Sequence, residues 1–226
     1  MRVFDLGAWG YDTMTRQVWW SNQVGTVETF LPVGRPVRWV LDLGCGPGGS
    51  AFALADLLGA DVEITGIDIS ERMLERARIR QAALHPELTS VRFLHADATQ
   101  LDFPDDSFDL AVGHSFLYLV PDRLGVLREV RRVLAPGGTL VCMEPRAAGS
   151  LLKASAHALR RPRRWLGHPV QSGMFAMSMA LWRVSSGIAG RMTPELGTRL
   201  LQEGGFHDVR AVPTLAGLGL HLAGTA

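Results

Sequence analysis

Gly44, Gly46 and Gly49 stand in the stretch VLDLGCGPGGS at the G-x-G-x-x-G spacing that brings backbone amides against a nucleotide-type cofactor. Gly44, Gly46 and Gly48 remove side chains where such a loop must bend and approach its ligand, and Pro47 stiffens it. The spacing alone does not choose the cofactor. Asp68, in GIDIS, also fits the ribose-binding acid that nicotinamide enzymes place about twenty residues beyond the glycines. Further on, Asp97 and Ala98 stand in LHADATQLDF, and His114 and Ser115 in FDLAVGHS. A neutral imidazole is available near pH 7, so His114 is the candidate general base for an acceptor that must lose a proton. Asp105, Asp106 and Asp109 in PDDSFD have ordinary turn and strand-entry chemistry. Cys45 and Cys142 suggest neither a disulfide framework nor a zinc site, and no metal site is expected.

These residues can meet only if the chain between them alternates strand and helix. RWVLDLGC reads as a first strand, SAFALADLLG as its helix, VEITGIDIS as a second strand, and ERMLERARIRQAAL as a second helix capped by Ser70. VRFLHADA and FDLAVGHS continue as strands, DRLGVLREVRRVL as a helix, GTLVCMEP as a strand and ELGTRLLQEGG as the terminal helix. HDVRAVPTL and LGLHLAGTA, joined near LAGLG, form a hairpin, which forces one antiparallel strand into the sheet. The fold class is therefore α/β: a doubly wound, mostly parallel, Rossmann-like sheet with a C-terminal antiparallel hairpin strand. Such sheets bind ligands at the carboxyl ends of their strands, where the glycine loop, Asp68, Asp97 and His114 all fall.

The ordered set VLDLGCGPG, GIDIS, DA and FDLAV resembles the class I S-adenosylmethionine-dependent methyltransferases, particularly their small-molecule branch, over residues 37 to 145 and 194 to 226. The resemblance implies S-adenosylmethionine as cofactor. Its aminocarboxypropyl tail would lie over Gly44, Cys45 and Gly46, with Asp42 near the ammonium and Tyr11 closing on the tail. Asp68 would take both ribose hydroxyls, Ile69 and Met73 would flank the adenine, and Asp97 would accept from its amino group beside the Ala98 backbone. His114 and Ser115 would face the reactive methyl. A dehydrogenase explains less of this pattern, since little chain is left for a second catalytic domain. A non-catalytic S-adenosylmethionine-binding protein would keep the same motifs and differ only in turnover.

Specificity is expected outside that core, in a single domain spanning 1–226 with an N-terminal lid over 1–36 and a substrate-cap insertion over 146–194. The lid holds Phe4, Trp9, Tyr11, Trp19, Trp20 and Phe30, a density suited to covering an apolar acceptor. Within the insertion Met174, Met177, Leu181 and Val184 recur at helical spacing and Trp182 broadens the apolar surface. Trp19, Trp20, Met174, Met177 and Trp182 are thus the candidate acceptor-binding residues. The insertion carries eight basic residues, Arg160, Arg161, Arg163 and Arg164 among them, and no Asp or Glu, in a chain of net charge +1. That asymmetry allows peripheral contact with an anionic membrane, or a phospholipid acceptor, as the alternative to a small hydrophobic or aromatic one. No nucleic-acid module accompanies the basic run, so nucleic acid is not expected. A cytoplasmic protein is expected, because no apolar run reaches the ~20 residues that span a bilayer; the oligomeric state is left open.

Overall fold

The computed structural model describes residues 24–31, 34–152, 154 and 169–226, except the side chains at 169–172, 174 and 175. Tyr11, Trp19, Trp20, Arg160, Arg161, Arg163 and Arg164 lie outside the described residues, and of Met174 only the backbone is described.

Among the described residues seven strands form one sheet: β1 (Trp39–Leu43), β2 (Glu63–Asp68), β3 (Val91–His95), β4 (Phe108–His114), β5 (Leu134–Pro145), β6 (His207–Thr214) and β7 (Gly219–Thr225). Their order is β3-β2-β1-β4-β5-β7-β6. The pairs through β5 are parallel, whereas β7 runs antiparallel to both β5 and β6. This is the expected doubly wound sheet, with the hairpin inserting its second strand next to β5. Strand order reverses between β1 and β4, which opens a crevice at their carboxyl ends.

Both faces of the sheet are covered, which explains the nearly continuous apolar runs of the inner strands. Period-two alternation sends Leu41, Leu43, Ala111, Leu140 and Leu222 into one core and Val40, Val112, Val141 and Ala223 into the other. Helices α1 (Gly49–Leu58) and α2 (Glu71–Leu84) pack on the second face. On the first lie α3 (Arg123–Val133) and α5 (Pro194–Glu203). In α3 the spacing of Val126, Leu127, Val130 and Val133 makes one buried stripe, and Asp122 caps its start by accepting from the Gly125 N–H at 2.9 Å.

Two local expectations are corrected. Ser70 occupies the N-cap position of α2 but makes no side-chain cap bond; its own N–H is instead given to Asp68 Oδ1 at 2.8 Å. β5 starts at Leu134 rather than near Gly138, because Phe108 pairs with Leu134 across an irregularity that Ala135–Gly138 fills.

The insertion returns to the sheet where it left. Arg146 bridges Met192 in parallel, and α4 (Pro169–Ala189) precedes that closure. The Arg183 guanidinium donates to the carbonyls of Arg146, Ala147 and Gly149 at 2.6, 2.9 and 2.5 Å. The only charged residue of α4 thus turns inward and is satisfied by carbonyl oxygens, which is one reason the segment needs no acidic partner. Arg183→Met should lower the melting temperature by about 4–8 °C, the equivalent of ~2 kcal/mol for bonds made by a charged donor. An unchanged melting temperature would show that the base of the insertion is held by other contacts.

Candidate active site

The glycine loop leaves β1 with Gly44, Gly46 and Gly48 all at positive φ (62°, 53° and 84°). At Gly44 the missing side chain also has a steric reason: a Cβ there would come within 2.5 Å of the Phe116 ring. The loop is pinned from β2, because Asp68 accepts from the Gly46 N–H at 2.9 Å through one carboxylate oxygen and from Ser70 through the other. Each oxygen keeps a lone pair for a further donor. Cys45 donates its N–H to the Ile67 carbonyl at 2.9 Å, and burial pushes its thiol well above the usual range, so it is packing rather than a nucleophile.

Asp42, fully buried on β1, accepts from the Ser50 hydroxyl at 2.5 Å through Oδ2, while its Oδ1 has no partner. Burial, and then the like charge of Asp68, push its carboxyl up to about 7. Asp68 is raised as well, by burial. Any cation brought beside these two acids would favour their charged forms.

Beyond β2 and β3, His95 Nε2 lies 2.9 Å from the Ile69 carbonyl and ties the two loops together. Ile69 is exposed there, Met73 is buried in α2, and Ala98 is buried. Asp97 is exposed and folds onto its own turn, with Oδ1 accepting from the Thr99 N–H and hydroxyl at 2.9 and 2.7 Å, which hold its carboxyl below the ordinary range.

At the end of β4, His114 is buried with neither ring nitrogen partnered, and burial followed by the nearness of His221 pushes it down to about 3. Ser115 takes a positive φ of 55° and gives its N–H to the Met143 carbonyl at 2.7 Å. Its hydroxyl receives the Trp182 indole N–H at 3.1 Å, joining α4 to this edge. Trp182, Met143, Met179 and Leu218 form one buried cluster beside it.

The structure therefore brings Asp42, Gly44, Cys45, Gly46, Asp68, Ile69, Met73, Asp97, Ala98, His114 and Ser115 to the carboxyl edge of four adjacent parallel strands, with Trp182 above Ser115. Met177 is not among them: it stands 61% exposed on the outer face of α4. Sequence reasoning missed Glu144, a fully buried carboxylate that accepts from the Phe116, Leu117 and Tyr118 amides at 3.3, 2.8 and 3.0 Å. It also missed His221, which lies 3.2 Å from the Thr26 hydroxyl through Nε2. Both carried a signal, a single polar residue closing or interrupting an apolar strand in VCMEP and LGLHLAG.

A family model described as a methyltransferase domain matches residues 38–205. The chain belongs to the methyltransferase-domain family. Among curated relatives, the demethylmenaquinone methyltransferase of Listeria welshimeri is 41% identical over 147 residues, 63% of this chain and 61% of that protein. The Staphylococcus aureus protein of the same name is 43% identical over 104 residues, 46% and 42% of the two chains. The matched part thus spans about three-fifths or less of these relatives' length. Among solved structures, Haemonchus contortus phosphoethanolamine N-methyltransferase 2, in complex with S-adenosylmethionine, aligns at TM-score 0.66 and 17% identity, covering 98% of this chain and 57% of that one. A Thermotoga maritima S-adenosylmethionine-dependent methyltransferase aligns at 0.63 and 21% identity, covering 99% and 98%. These likenesses establish the methyltransferase fold.

In this methyltransferase-family protein the raised carboxyls set a pH dependence. Asp42 moves from 3.8 to about 7, and Glu144 from 4.5 to about 7 because burial outweighs its three amide bonds. Between about pH 4 and pH 7 these two carboxyls bind more protons in the native state than in the unfolded chain, so their contribution to stability falls as pH rises, while His114 and His221, held down to about 3 and 4, contribute with the opposite sign over the lower part of the same window. Asp42→Asn removes one falling contribution, so the urea midpoint of the ligand-free variant should rise more, or fall less, between pH 4 and pH 7 than that of the wild type. A slope unchanged by Asp42→Asn would remove Asp42 from the account.

Proposed function

We propose that the protein transfers a methyl group from S-adenosylmethionine to a small, hydrophobic, ring-bearing acceptor of the quinol class. The relatives are named for demethylmenaquinone, whose quinone ring belongs to this class. The observation that carries the reading is His114, a buried imidazole with two unpartnered nitrogens at the carboxyl end of β4, paired across the sheet with Met143 of the Met143, Met179 and Trp182 cluster. A polar group left so in a packed interior calls for a ligand.

The residues present fit the cofactor. The unpartnered Asp42 Oδ1 suits the ammonium end, Asp68 the ribose hydroxyls, and the exposed Ile69 with Asp97 the adenine. When bound, S-adenosylmethionine supplies an electrophilic methyl on a sulfonium that is also the leaving group. His114 is neutral at pH 7, so it can accept the hydrogen bond of an acceptor hydroxyl; at about 3 it is a weak base, and negative charge developing on the acceptor oxygen beside it is what would raise it enough to hold the proton. Trp182, held by Ser115, limits how the acceptor ring can lie. A lid over 1–36 and a cap over 146–194 remain part of this proposal as sources of acceptor specificity; Tyr11, Trp19 and Trp20 of the lid lie outside the described residues.

A second observation favours an acceptor met at a membrane surface. Met177, Leu181, Val184 and Ile188 line the outer face of α4 at 61, 62, 68 and 89% exposure, and no charged residue interrupts them. Such a stripe is unusual in water, and the basic run at 160–164 directly precedes the helix. No helix among the described residues is long and apolar enough to cross a membrane.

Radiolabelled S-adenosylmethionine offered with quinols, phenols, amines and phospholipids should label a quinol or phenol, with S-adenosylhomocysteine formed in step. His114→Ala should lower turnover by ~10²–10⁴-fold, less at high pH where the acceptor ionises unaided. Cofactor binding without labelling of any acceptor would favour a non-catalytic binding protein. In sedimentation with anionic vesicles at several salt concentrations, the wild type should bind, and Leu181→Glu with Val184→Glu should abolish binding. Wild-type protein that stays in solution at low salt would remove the membrane reading.

A further inference from the structure

We propose that Glu144 is a positioning residue for S-adenosylmethionine: it holds the turn after β4 so that the Phe116 ring steadies the Gly44 backbone on which the cofactor lies. The inference rests on the cofactor placement given above, with the aminocarboxypropyl tail over residues 44–46, and not on the identity of the acceptor. Strand alternation settles what Glu144 can reach. Along β5, Leu140 and Cys142 enter one core and Val141 the other, so Glu144 turns to the first face and Met143 to the second. Leu220, the β7 partner of Glu144, lies in that same first core. Met143 instead pairs with His114 and joins Trp182. Glu144, fully buried, thus stands on the opposite side of the sheet from His114 and acts on the site through backbone rather than by contact with an acceptor.

The segment it meets leaves β4 through Ser115 and Phe116 and forms the 3-10 turn Leu117–Leu119. Oε1 accepts from the Phe116 and Leu117 N–H groups at 3.3 and 2.8 Å, and Oε2 from the Tyr118 N–H at 3.0 Å. From the other end Arg123 donates to the Tyr118 carbonyl at 3.1 Å. A carboxyl keeps acceptor lone pairs on both oxygens with or without a proton, whereas a glutamine amide must turn its NH2 toward one of these N–H groups. The side chain placed by this grip is Phe116. A Cβ on Gly44 would stand 2.5 Å from its Cδ2, and one on Gly113 would stand 3.5 Å from its Cδ1. Leu43, just before Gly44, pairs with Gly113, so one ring covers two neighbouring bare backbones. Gly44 needs its freedom to reach a φ of 62°, and the ring takes part of that freedom back by filling the space on one side. A loop ordered before the ligand arrives loses less entropy on binding.

The test is a double-mutant cycle, read by calorimetry with S-adenosylhomocysteine on the full chain at a temperature where circular dichroism shows every variant folded. Glu144→Gln should weaken binding about three- to ten-fold, the loss expected for one neutral hydrogen bond, and Phe116→Ala should weaken it as well. Because Glu144 acts through Phe116, Glu144→Gln should change affinity by less than about two-fold once Phe116 is replaced by alanine. A residue that only stabilises the fold would give losses that add. Should Glu144→Gln not fold, Glu144→Asp repeats the cycle with the same expectation, since it keeps both acceptor oxygens but is one methylene too short to span all three amides. Full affinity in the Glu144 variant, or additive losses, would overturn the proposal and leave the cofactor placement standing. Wild-type protein that fails to bind S-adenosylhomocysteine would overturn both.

Discussion

The Glu144 carboxylate is the contact on which the reactive edge depends. Placed at the end of β5, it gathers three successive backbone N–H groups of the segment after β4, as a capping residue gathers the free amides at a helix start. That grip fixes Phe116 and, one residue earlier, Ser115. Phe116 lies where only a glycine at 44 leaves room, so the loop after β4 and the glycine loop after β1 set each other's shape. Ser115 in turn holds Trp182, and through it α4. One buried carboxylate thus links the glycine loop, the histidine at the end of β4 and the insertion.

Burial sets the charge state of this edge as much as partnership does. Asp42 and Glu144 are pushed up to about 7, and His114 and His221 down to about 3 and 4. Near neutral pH these two acids are therefore about half ionised and the two imidazoles uncharged. A cationic ligand would meet carboxyls ready to ionise, and a neutral hydroxylated one would meet uncharged imidazoles. These opposite shifts suit an edge that receives two unlike molecules side by side.

Much of this was legible in the sequence, because the informative residues sit at strand ends. The run VLDLGCGPGGS showed a strand entering a loop that must bend, and positive φ at three of its glycines follows. Asp68, Asp97 and His114 were placed by the rule that open sheets keep ligands at their carboxyl ends, and all three fall there. The rest depended on contacts between segments distant in sequence. Glu144 meets the loop at 116–118, and His221 meets Thr26 across 195 positions, which no local pattern encodes. In α4 the apolar residues are so many that periodicity fits more than one face; the inward face includes Ser178 and Ser186 with Met179 and Trp182, while Met177 and Leu181 turn outward. Local chemistry likewise misassigned the Ser70 cap, since a nearby carboxylate already orders that turn.

Arg146 and Met192 lie side by side, so the stretch between them is a closed excursion whose two ends are already joined. Doubling the length of such an excursion adds only ~0.6 kcal/mol of closure entropy. Because Arg183 secures the root through carbonyl oxygens alone, that fastening does not depend on which side chains occupy 146, 147 or 149. The fold can therefore lengthen or shorten the part of this segment that precedes the Arg183 fastening while the parallel strands beneath remain as they are.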